Sequence, residues 1–222
     1  HGTTITILNA GRIISRSGEK LNGKLFVSSG LGGMSGAQPK AASIAGIISV
    51  IAEINPKAIS KRHEQGWVDE VITDIDKLVE RVRDLRKSGK VISVGFEGNI
   101  VDVWERFADE GIKIDIGSDQ TSLHNPWSGG YYPAGLTFEE SKSMMVSDPD
   151  EFRFRVQKSL IRQVRAINRH TAGGTYFFDY GNAFLLEASR AGAEILKADG
   201  SFIYPSYVQD IMGPLCFDYG FG

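Results

Sequence analysis

Short apolar runs alternate with helical segments in the first part of the chain. The run LFVSS after Lys24 predicts a strand, a cluster of glycines follows it, and AQPKAASIAGIIS, rich in small helix formers, predicts a helix. The next apolar run, Val50 to Ile54, predicts a second strand, and Asn55-Pro56 predicts that this strand ends in a loop. Together these elements form a βαβ unit.

The alternation continues up to residue 119. Apolar residues at helical spacing over 75–85 predict a helix, which Thr73 and Asp76 begin with capping-box spacing and Gly89 ends. Three more elements are predicted: a buried strand at 91–96 (VISVGF), an amphipathic helix at 99–110 and a strand at 113–119 (KIDIGSD). This order predicts a Rossmann-like, doubly wound α/β fold, whose mainly parallel sheet has helices on both faces.

The pattern changes after Asp119. Residues 120–135, QTSLHNPWSGGYYPAG, have no usable period and predict a long structured loop, a feature that is often functional. Thr137 with Glu140, and Asp148-Pro149 with Glu151, predict the starts of two helices. Three predictions complete the chain: a strand in TYFFDYG (175–181), a helix in NAFLLEASRAG, and an irregular tail from Ala193.

The predicted helix that begins at Asp148-Pro149 has an apolar face and a basic face. The apolar face consists of Val156, Leu160, Ile161, Val164 and Ile167. The basic face consists of Lys158, Arg162, Arg165 and Arg169. Such a basic face is either solvated or an interface to another part of the protein.

Composition narrows the class of protein. The chain has 222 residues, of which 41% are hydrophobic and 23% charged, as in a globular protein with one domain. Its net charge of −2 predicts no binding to nucleic acid or to an anionic membrane. The chain has no run of 18 apolar residues and no signal-peptide pattern, so we expect a soluble, cytoplasmic protein.

Two further features concern the single cysteine and the chain ends. Cys216 excludes an internal disulfide and a multi-cysteine zinc site, and a lone cysteine in an apolar stretch is usually a packed hydrophobe. Neither end reads like a natural terminus, so we expect a segment of a longer protein.

The glycine cluster GLGGMSG, from Gly30 to Gly36, is suited to binding a diphosphate. A turn without side chains lets backbone N–H groups approach phosphate oxygens, and the following helix N-terminus favours negative charge. The cluster departs from the usual G-x-G-x-x-G spacing by one residue: Ser35 occupies the position of the third glycine, and Gly36 follows it. Glu53, about twenty residues on, is placed to accept hydrogen bonds from ribose hydroxyls, which favours NAD over NADP. The alternative is that the glycines only connect strand to helix and Glu53 is a surface acid.

Polar residues also follow the later predicted strands. Asn99 and the segment from Gln120 to His124 lie where parallel strands end, so they are placed to contact a ligand. Asp119 and His124 are either an acid–base pair or groups that fix the loop. Three tyrosines, Tyr131, Tyr132 and Tyr180, either close over a flat ring or fill the core. We expect His63 and His170 on helix surfaces, and we expect no metal site.

Three strings resemble the urocanate hydratase (urocanase) family, in the family's order: FVSSGLGGMSGAQPKAA, SDQTSLHNPWSGGYYPAG and FFDYGNAF. Two further segments are similar to the version of this family found in animals and some bacteria: the stretch DEFRFRVQKSLIRQVRAINRH and the tail YPSYVQDIMG. The resemblance implies that residues 1–222 are one NAD-binding Rossmann-like domain, which a core domain flanks on both sides in a cytosolic homodimer.

The resemblance also implies which residues contact NAD. They are Gly33, Met34, Ser35, Glu53, Asn99, Ile100, Gln120, Thr121, Ser122, Leu123, His124, Tyr131, Tyr132 and Tyr180. Two positions depart from the pattern. Ser35 replaces a glycine, and Ala58 replaces an arginine that some members have, with Lys57 or Arg62 as substitutes for its contact.

The reaction implied is the addition of water to urocanate, which gives imidazolonepropionate, with NAD acting as an electrophile. The family's catalytic cysteine segment is not present, and Cys216 does not match it, so we assign no catalytic residue and expect no turnover by this chain alone. Two other functions stay open: an NAD-dependent dehydrogenase domain, and a non-catalytic nucleotide-sensing domain with the basic face as its partner surface.

Overall fold

A six-stranded parallel sheet forms the centre of the molecule. The computed structural model describes residues 2–15, 20–181 and 183–207. The strands are β1 (Leu25–Ser29), β2 (Ile48–Glu53), β3 (Glu70–Ile72), β4 (Ser93–Glu97), β5 (Ile116–Asp119) and β6 (Tyr176–Asp179). Their order across the sheet is β3-β4-β2-β1-β5-β6, and every pairing is parallel. The predicted Rossmann-like α/β fold is therefore confirmed.

Helices precede, connect and follow the strands. They are α1 (Gly2–Ile14), α2 (Gln38–Ala45), α3 (Pro56–Glu64), α4 (Ile75–Ser88), α5 (Ile100–Asp109), α6 (Phe138–Ser147), α7 (Pro149–Ala172) and α8 (Ala183–Arg190). In the described ranges, none of them is long and apolar enough to cross a membrane.

The core is divided between the two faces of the sheet. On one face, alternate strand residues such as Val27 and Val50 pack with apolar residues of α4, α5, α7 and α8. On the other face, Phe26 and Ile51 pack with residues of α1, α2 and α3. Because successive strand side chains point to opposite faces, the continuous apolar runs of β1 and β2 supply both halves of the core.

The strand order reverses beside β1. The chain moves from β1 to β2 and outward to the β3 edge, and then returns to place β5 on the other side of β1. Phe26 of β1 pairs with Ser49 on one side and with Ile116 on the other. Connections leave β1 and β5 in opposite directions, which opens a crevice at their carboxyl ends.

Several local predictions were wrong. Asn55-Pro56 begins α3 instead of a loop, because Asn55 caps the helix by accepting from the Lys57 amide and Pro56 is favourable at its first position. The short strand β3 was not predicted. The residue that caps α4 is Asp74, which accepts from the Lys77 amide, and not Thr73.

Other helix predictions were confirmed. Thr137 and Glu140 form a capping box at α6, and Asp148 caps α7. Gly89 ends α4 in the left-handed conformation, with a φ of 67°. Cys216 and the tail beyond Tyr207 lie outside the described residues.

The basic face of α7 packs in part against α5. Arg162 forms a bidentate pair with Glu105, at 2.9 and 2.7 Å, and Arg169 lies 2.9 Å from Asp109. Ile161, predicted on the apolar face of α7, is only half-buried. Half of the basic face is thus an internal contact between two helices.

His170 is buried rather than exposed, which corrects the prediction for this residue. Its side chain is 7% exposed, and its Nε2 lies 2.9 Å from the carbonyl oxygen of Trp104. Burial lowers the pKa of His170. His63 lies on the surface as expected, with its Nδ1 2.9 Å from the carbonyl oxygen of Val68.

Candidate nucleotide-binding cleft

A cleft opens at the carboxyl ends of β1, β2, β4 and β5. Nine of the predicted contact residues line it: Ser35, Glu53, Asn99, Ile100, Gln120, Thr121, Ser122, Tyr131 and Tyr132. The wall also includes Ser29, Gly30, Gly32, Ala52, Ile54, Asn55, Ala58, Gly98, Gly129 and Gly130. The loop after β5 closes one side of this cleft and the glycine turn closes the other.

The glycine turn begins with a residue that must be glycine. Gly30 has a φ of 92°, and a Cβ there would lie 2.9 Å from Ser35 Oγ and 3.0 Å from the carbonyl oxygen of Gln120. Gln38 supports the turn from below, where its Nε2 donates to the carbonyl oxygens of Ser29 and Gly30, both at 3.0 Å. The backbone of the turn is therefore fixed close to the end of β5.

Ser35 fits its position without strain. It lies in a short 3-10 turn, Ser35–Ala37, that leads into α2, so its backbone needs no left-handed conformation. Its buried Oγ accepts a hydrogen bond from the Gly32 amide at 3.0 Å. This serine, which occupies the position of the third glycine in the usual G-x-G-x-x-G spacing, thus stabilises the turn from within.

Glu53 at the end of β2 holds the same turn. One carboxylate oxygen accepts from the Leu31 amide at 2.8 Å, and the other accepts from the Asn55 amide at 2.9 Å. Burial raises the pKa of Glu53, although the hydrogen bonds from Asn55 and Leu31 oppose the shift. Each oxygen keeps a second lone pair, so the carboxylate can still accept a hydrogen bond from a ligand hydroxyl.

Asn99 joins the N-terminus of α5 to the loop after β5. Its Oδ1 caps the helix by accepting from the Val101 amide at 2.9 Å, and its Nδ2 donates to the carbonyl oxygen of Tyr132 at 2.9 Å. Both ends of the side-chain amide are used within the protein. Ile100 follows as the first residue of α5 and is 5% exposed.

A buried polar network lies beneath the cleft around Asp119. This carboxylate accepts hydrogen bonds from Ser29 Oγ at 2.7 Å, Gln163 Nε2 at 2.8 Å, and both the amide and the hydroxyl of Thr121. Asp119 is 2% exposed, so these donors replace its lost hydration. Its role in the fold is to join β1, β5 and α7.

The neighbouring tyrosines differ in their surroundings. Tyr131 is 1% exposed, and its hydroxyl donates to Gln163 Oε1 at 2.7 Å. Tyr132 is half-buried and its ring lies 5.3 Å from that of Phe138. The chain passes so close here that a Cβ on Gly130 would lie 2.0 Å from the carbonyl oxygen of Ser122.

The other five predicted contact residues lie outside the cleft wall. Gly33 and Met34 lie at the exposed tip of the glycine turn, where Met34 is 93% exposed. Leu123 belongs to the core cluster with α4, α5 and α7, and His124 is exposed. Tyr180 lies with the α1 side of the core, its hydroxyl 2.8 Å from Thr6 Oγ1.

The structure does not form the acid–base pair considered for Asp119 and His124. In the described part of the chain, the carboxylate of Asp119 accepts hydrogen bonds from Ser29, Gln163 and Thr121 only. Ala58 lines the cleft, so no basic side chain reaches it from this position. The buried arginine nearest to the turn is Arg62, which donates to the carbonyl oxygen of Leu31 at 3.0 Å.

Comparison with known proteins identifies the family. The protein-family model described as the Urocanase Rossmann-like domain matches residues 1–211, which is nearly the whole chain. The chain belongs to the urocanase family. The resemblance of the three sequence strings is thereby confirmed.

Members of the urocanase family from several animals are similar over the whole chain. The identity is 58% to a protein of Caenorhabditis elegans named probable urocanate hydratase, 54% to urocanate hydratase of Mus musculus, and 53% to that of Homo sapiens. Each alignment covers 100% of this chain and 33% or 34% of the relative. The chain thus spans about a third of the length of these relatives.

Among solved structures, a short-chain type dehydrogenase/reductase from Mycobacterium ulcerans matches 78% of this chain and 60% of its own, at 11% identity and a TM-score of 0.39. A TM-score this low supports no functional inference. Assignment to the urocanase family rests on sequence similarity alone.

The cleft of this urocanase-family chain also contains a donor without a protein acceptor. Gln120 Nε2 is buried and has no hydrogen-bond partner in the described residues. A buried amide that donates to nothing is costly, and Gln120 lies on the cleft wall, so a bound acceptor such as a phosphate, ribose or carboxamide oxygen would satisfy it. Together with the glycine turn and the Glu53 carboxylate, this donor makes the lining of the cleft chemically compatible with a nucleotide.

Proposed function

We propose that this chain is the NAD-binding domain of a urocanate hydratase, and that the complete protein adds water to urocanate to give imidazolonepropionate. The identity of 53–58% over the whole chain to proteins named urocanate hydratase carries this proposal. The assignment of NAD rests on the family, with support from the cleft at the reversal of strand order.

The described residues divide the work of binding between the two halves of the cleft. At one end, the glycine turn offers backbone amides to a diphosphate, and the carboxylate of Glu53 accepts from ribose hydroxyls and disfavours a 2′-phosphate. At the other end, Gln120 donates to an acceptor of the ligand. NAD, when bound, supplies an electrophilic nicotinamide for the chemistry.

The protein must keep this cofactor in place rather than release it at each turnover. Asn99 fixes the Tyr132 loop to α5, and the Asp119 network fixes β1, β5 and α7 to one another. Such rigid support fixes the position of a ligand and reduces the freedom lost on binding.

Calorimetric titration of this chain with NAD and NADP tests cofactor binding. We expect NAD to bind with a clear preference over NADP. Equal binding of the two would contradict the role of Glu53, and binding of neither would contradict the proposal that this chain binds NAD by itself.

A second experiment tests the reaction. A protein of the relatives' full length that contains this chain should consume urocanate and form imidazolonepropionate without net reduction of NAD. An increase in reduced-nicotinamide absorbance with an alcohol substrate would instead favour a dehydrogenase. The chain alone should not turn over urocanate, since it covers only a third of its relatives.

A further inference from the structure

The glycine turn lies over a buried arginine. Arg62, from α3, is 7% exposed, and its Nε donates to the carbonyl oxygen of Leu31 at 3.0 Å. Its Nη2 donates to the carbonyl oxygen of Gly32 and lies 3.5 Å from that of Gly33. One guanidinium thus contacts three consecutive carbonyl groups of the turn.

The charge of Arg62 has no carboxylate partner in the residues that the structure describes. The remaining contacts of the guanidinium are Gln65 Oε1, at 2.8 Å from Nη1, and the ring of Trp67, whose centroid lies 5.0 Å away. A desolvated cation is unfavourable unless anions or dipoles compensate it. Here the carbonyl dipoles of the turn provide most of that compensation.

The contact with carbonyl groups fixes the direction of the amides. In a trans peptide the C=O of one residue and the N–H of the next point in opposite directions. Because the carbonyls of Gly32 and Gly33 face Arg62, the amides of Gly33 and Met34 point away from it. Neither amide donates to a protein acceptor in the described ranges, so both are available to an anion.

Gly36 makes room for this arrangement. A Cβ at this position would lie 2.1 Å from Nε of Arg62 and 2.5 Å from Nη2. The last glycine of GLGGMSG therefore serves the arginine and not the ligand directly. This explains why the cluster extends one residue beyond the usual spacing.

We propose that Arg62 is a positioning residue that sets affinity for the diphosphate of a dinucleotide. It holds the carbonyl side of the glycine turn, while Glu53 holds the Leu31 amide, so that the free amides face the ligand in advance of binding. The positive charge beneath the turn also favours an anion above it. The ligand in this inference rests on the proposed function, whereas the ordering of the turn does not.

Hydrogen–deuterium exchange of the free chain tests the ordering of the turn. In Arg62→Met, the Gly36 amide, which donates to the Gly32 carbonyl at 3.1 Å, should exchange about tenfold faster or more. Arg62→Lys should be intermediate, and Gly36→Ala should resemble Arg62→Met. Arg83→Met removes an exposed arginine paired with Glu110 and should leave the turn unchanged.

Titration with ligands that differ in phosphate content tests the effect on binding. Arg62→Met should lower the affinity for NAD and for ADP by about tenfold or more. It should lower the affinity for adenosine by less than about twofold, because adenosine has no phosphate. Arg62→Lys should recover part of the NAD affinity, because it restores the charge without the planar set of donors. Thermal unfolding identifies any variant that is not folded at the assay temperature.

The outcomes separate this inference from the proposed function. Unchanged exchange at the turn in both Arg62→Met and Gly36→Ala would overturn it, as would an equal loss of adenosine and NAD affinity. Absence of NAD binding by the unaltered chain would contradict the proposed function for this chain, while the exchange comparison would still decide whether Arg62 orders the turn.

Discussion

At the scale of single residues, the free amide nitrogen of Gln120 should report directly on the ligand. Gln120→Glu keeps the shape of the side chain but replaces the donor with an acceptor. We expect it to weaken NAD binding by about tenfold, since a carboxylate beside a ligand acceptor is repulsive. Calorimetry measures the change, and Gln157→Glu on α7, outside the cleft wall, is the control; unchanged affinity would show that Gln120 does not face the ligand.

Glu53 has two effects that substitutions can separate. Glu53→Ala removes both the acceptor for the Leu31 amide and the negative charge. The affinity for NAD should therefore fall by about tenfold, and the preference for NAD over NADP should become smaller. Glu53→Gln keeps an acceptor but no charge, so it should narrow the preference with a smaller loss of NAD affinity. Titration of both variants with both dinucleotides provides the comparison, and unchanged selectivity in both would refute the role of the charge.

At the scale of elements, Asn99 couples a helix to a loop. Asn99→Ala removes the cap of α5 and the hydrogen bond to Tyr132, which should lower the free energy of unfolding by about 1–2 kcal/mol. It should also accelerate amide exchange in residues 129–132. Asp74→Ala removes the cap of α4, which does not contact this loop, so it should lower stability alone. Urea unfolding and exchange measure the two effects; equal exchange in both variants would contradict the coupling.

The sequence predicted most elements but missed one part of the sheet. Short continuous apolar runs between the helical segments identified five of the six strands, because a parallel strand that is buried on both faces is apolar along its whole length. The strand β3 has only three residues and an exposed Val71 at the sheet edge, so it gives no such run. Asn55-Pro56 resembled a loop because the same two residues favour turns and helix starts.

The position of the candidate cleft could be predicted in outline, but the contacts that support it could not. Glycine spacing, strand ends and family resemblance indicated nine of the residues that line the cleft, whereas whether they bind a ligand stays a prediction. The partners of Arg62 and Asp119 lie 31 and 44 residues away in sequence, in Leu31 and Gln163, so no local pattern shows them. His170 illustrates the same limit, because only the packing of α5 against α7 buries it.

At the scale of the whole molecule, stability should depend on the ionisation of Asp179. Burial raises the pKa of this residue to about 6, although the amides of Leu185 and Gly181 donate to it. The folded protein therefore binds this proton more tightly than the unfolded chain, where the carboxyl group has an ordinary pKa. The contribution of the protonated Asp179 to the free energy of unfolding is at its maximum below about pH 4 and is lost as the pH rises through about 6.

Asp179→Asn tests this pH dependence. The variant stays neutral, so relative to it the unaltered chain should lose up to about 3 kcal/mol of unfolding free energy between pH 4 and pH 7. Urea unfolding of both proteins at four pH values measures the difference, with the exposed Asp84→Asn as control. A constant difference across the range would contradict the assignment.

The place of β5 beside β1 has a consequence for biosynthesis. Leu25 donates its amide to Asp115, 90 residues later in the chain, and the cleft needs residues from both sides of that junction. Contacts of such separation form late, since closing long loops has an entropic cost. A ribosome must therefore release the chain past Tyr132 before the cleft can form and the proposed dinucleotide can stabilise the fold.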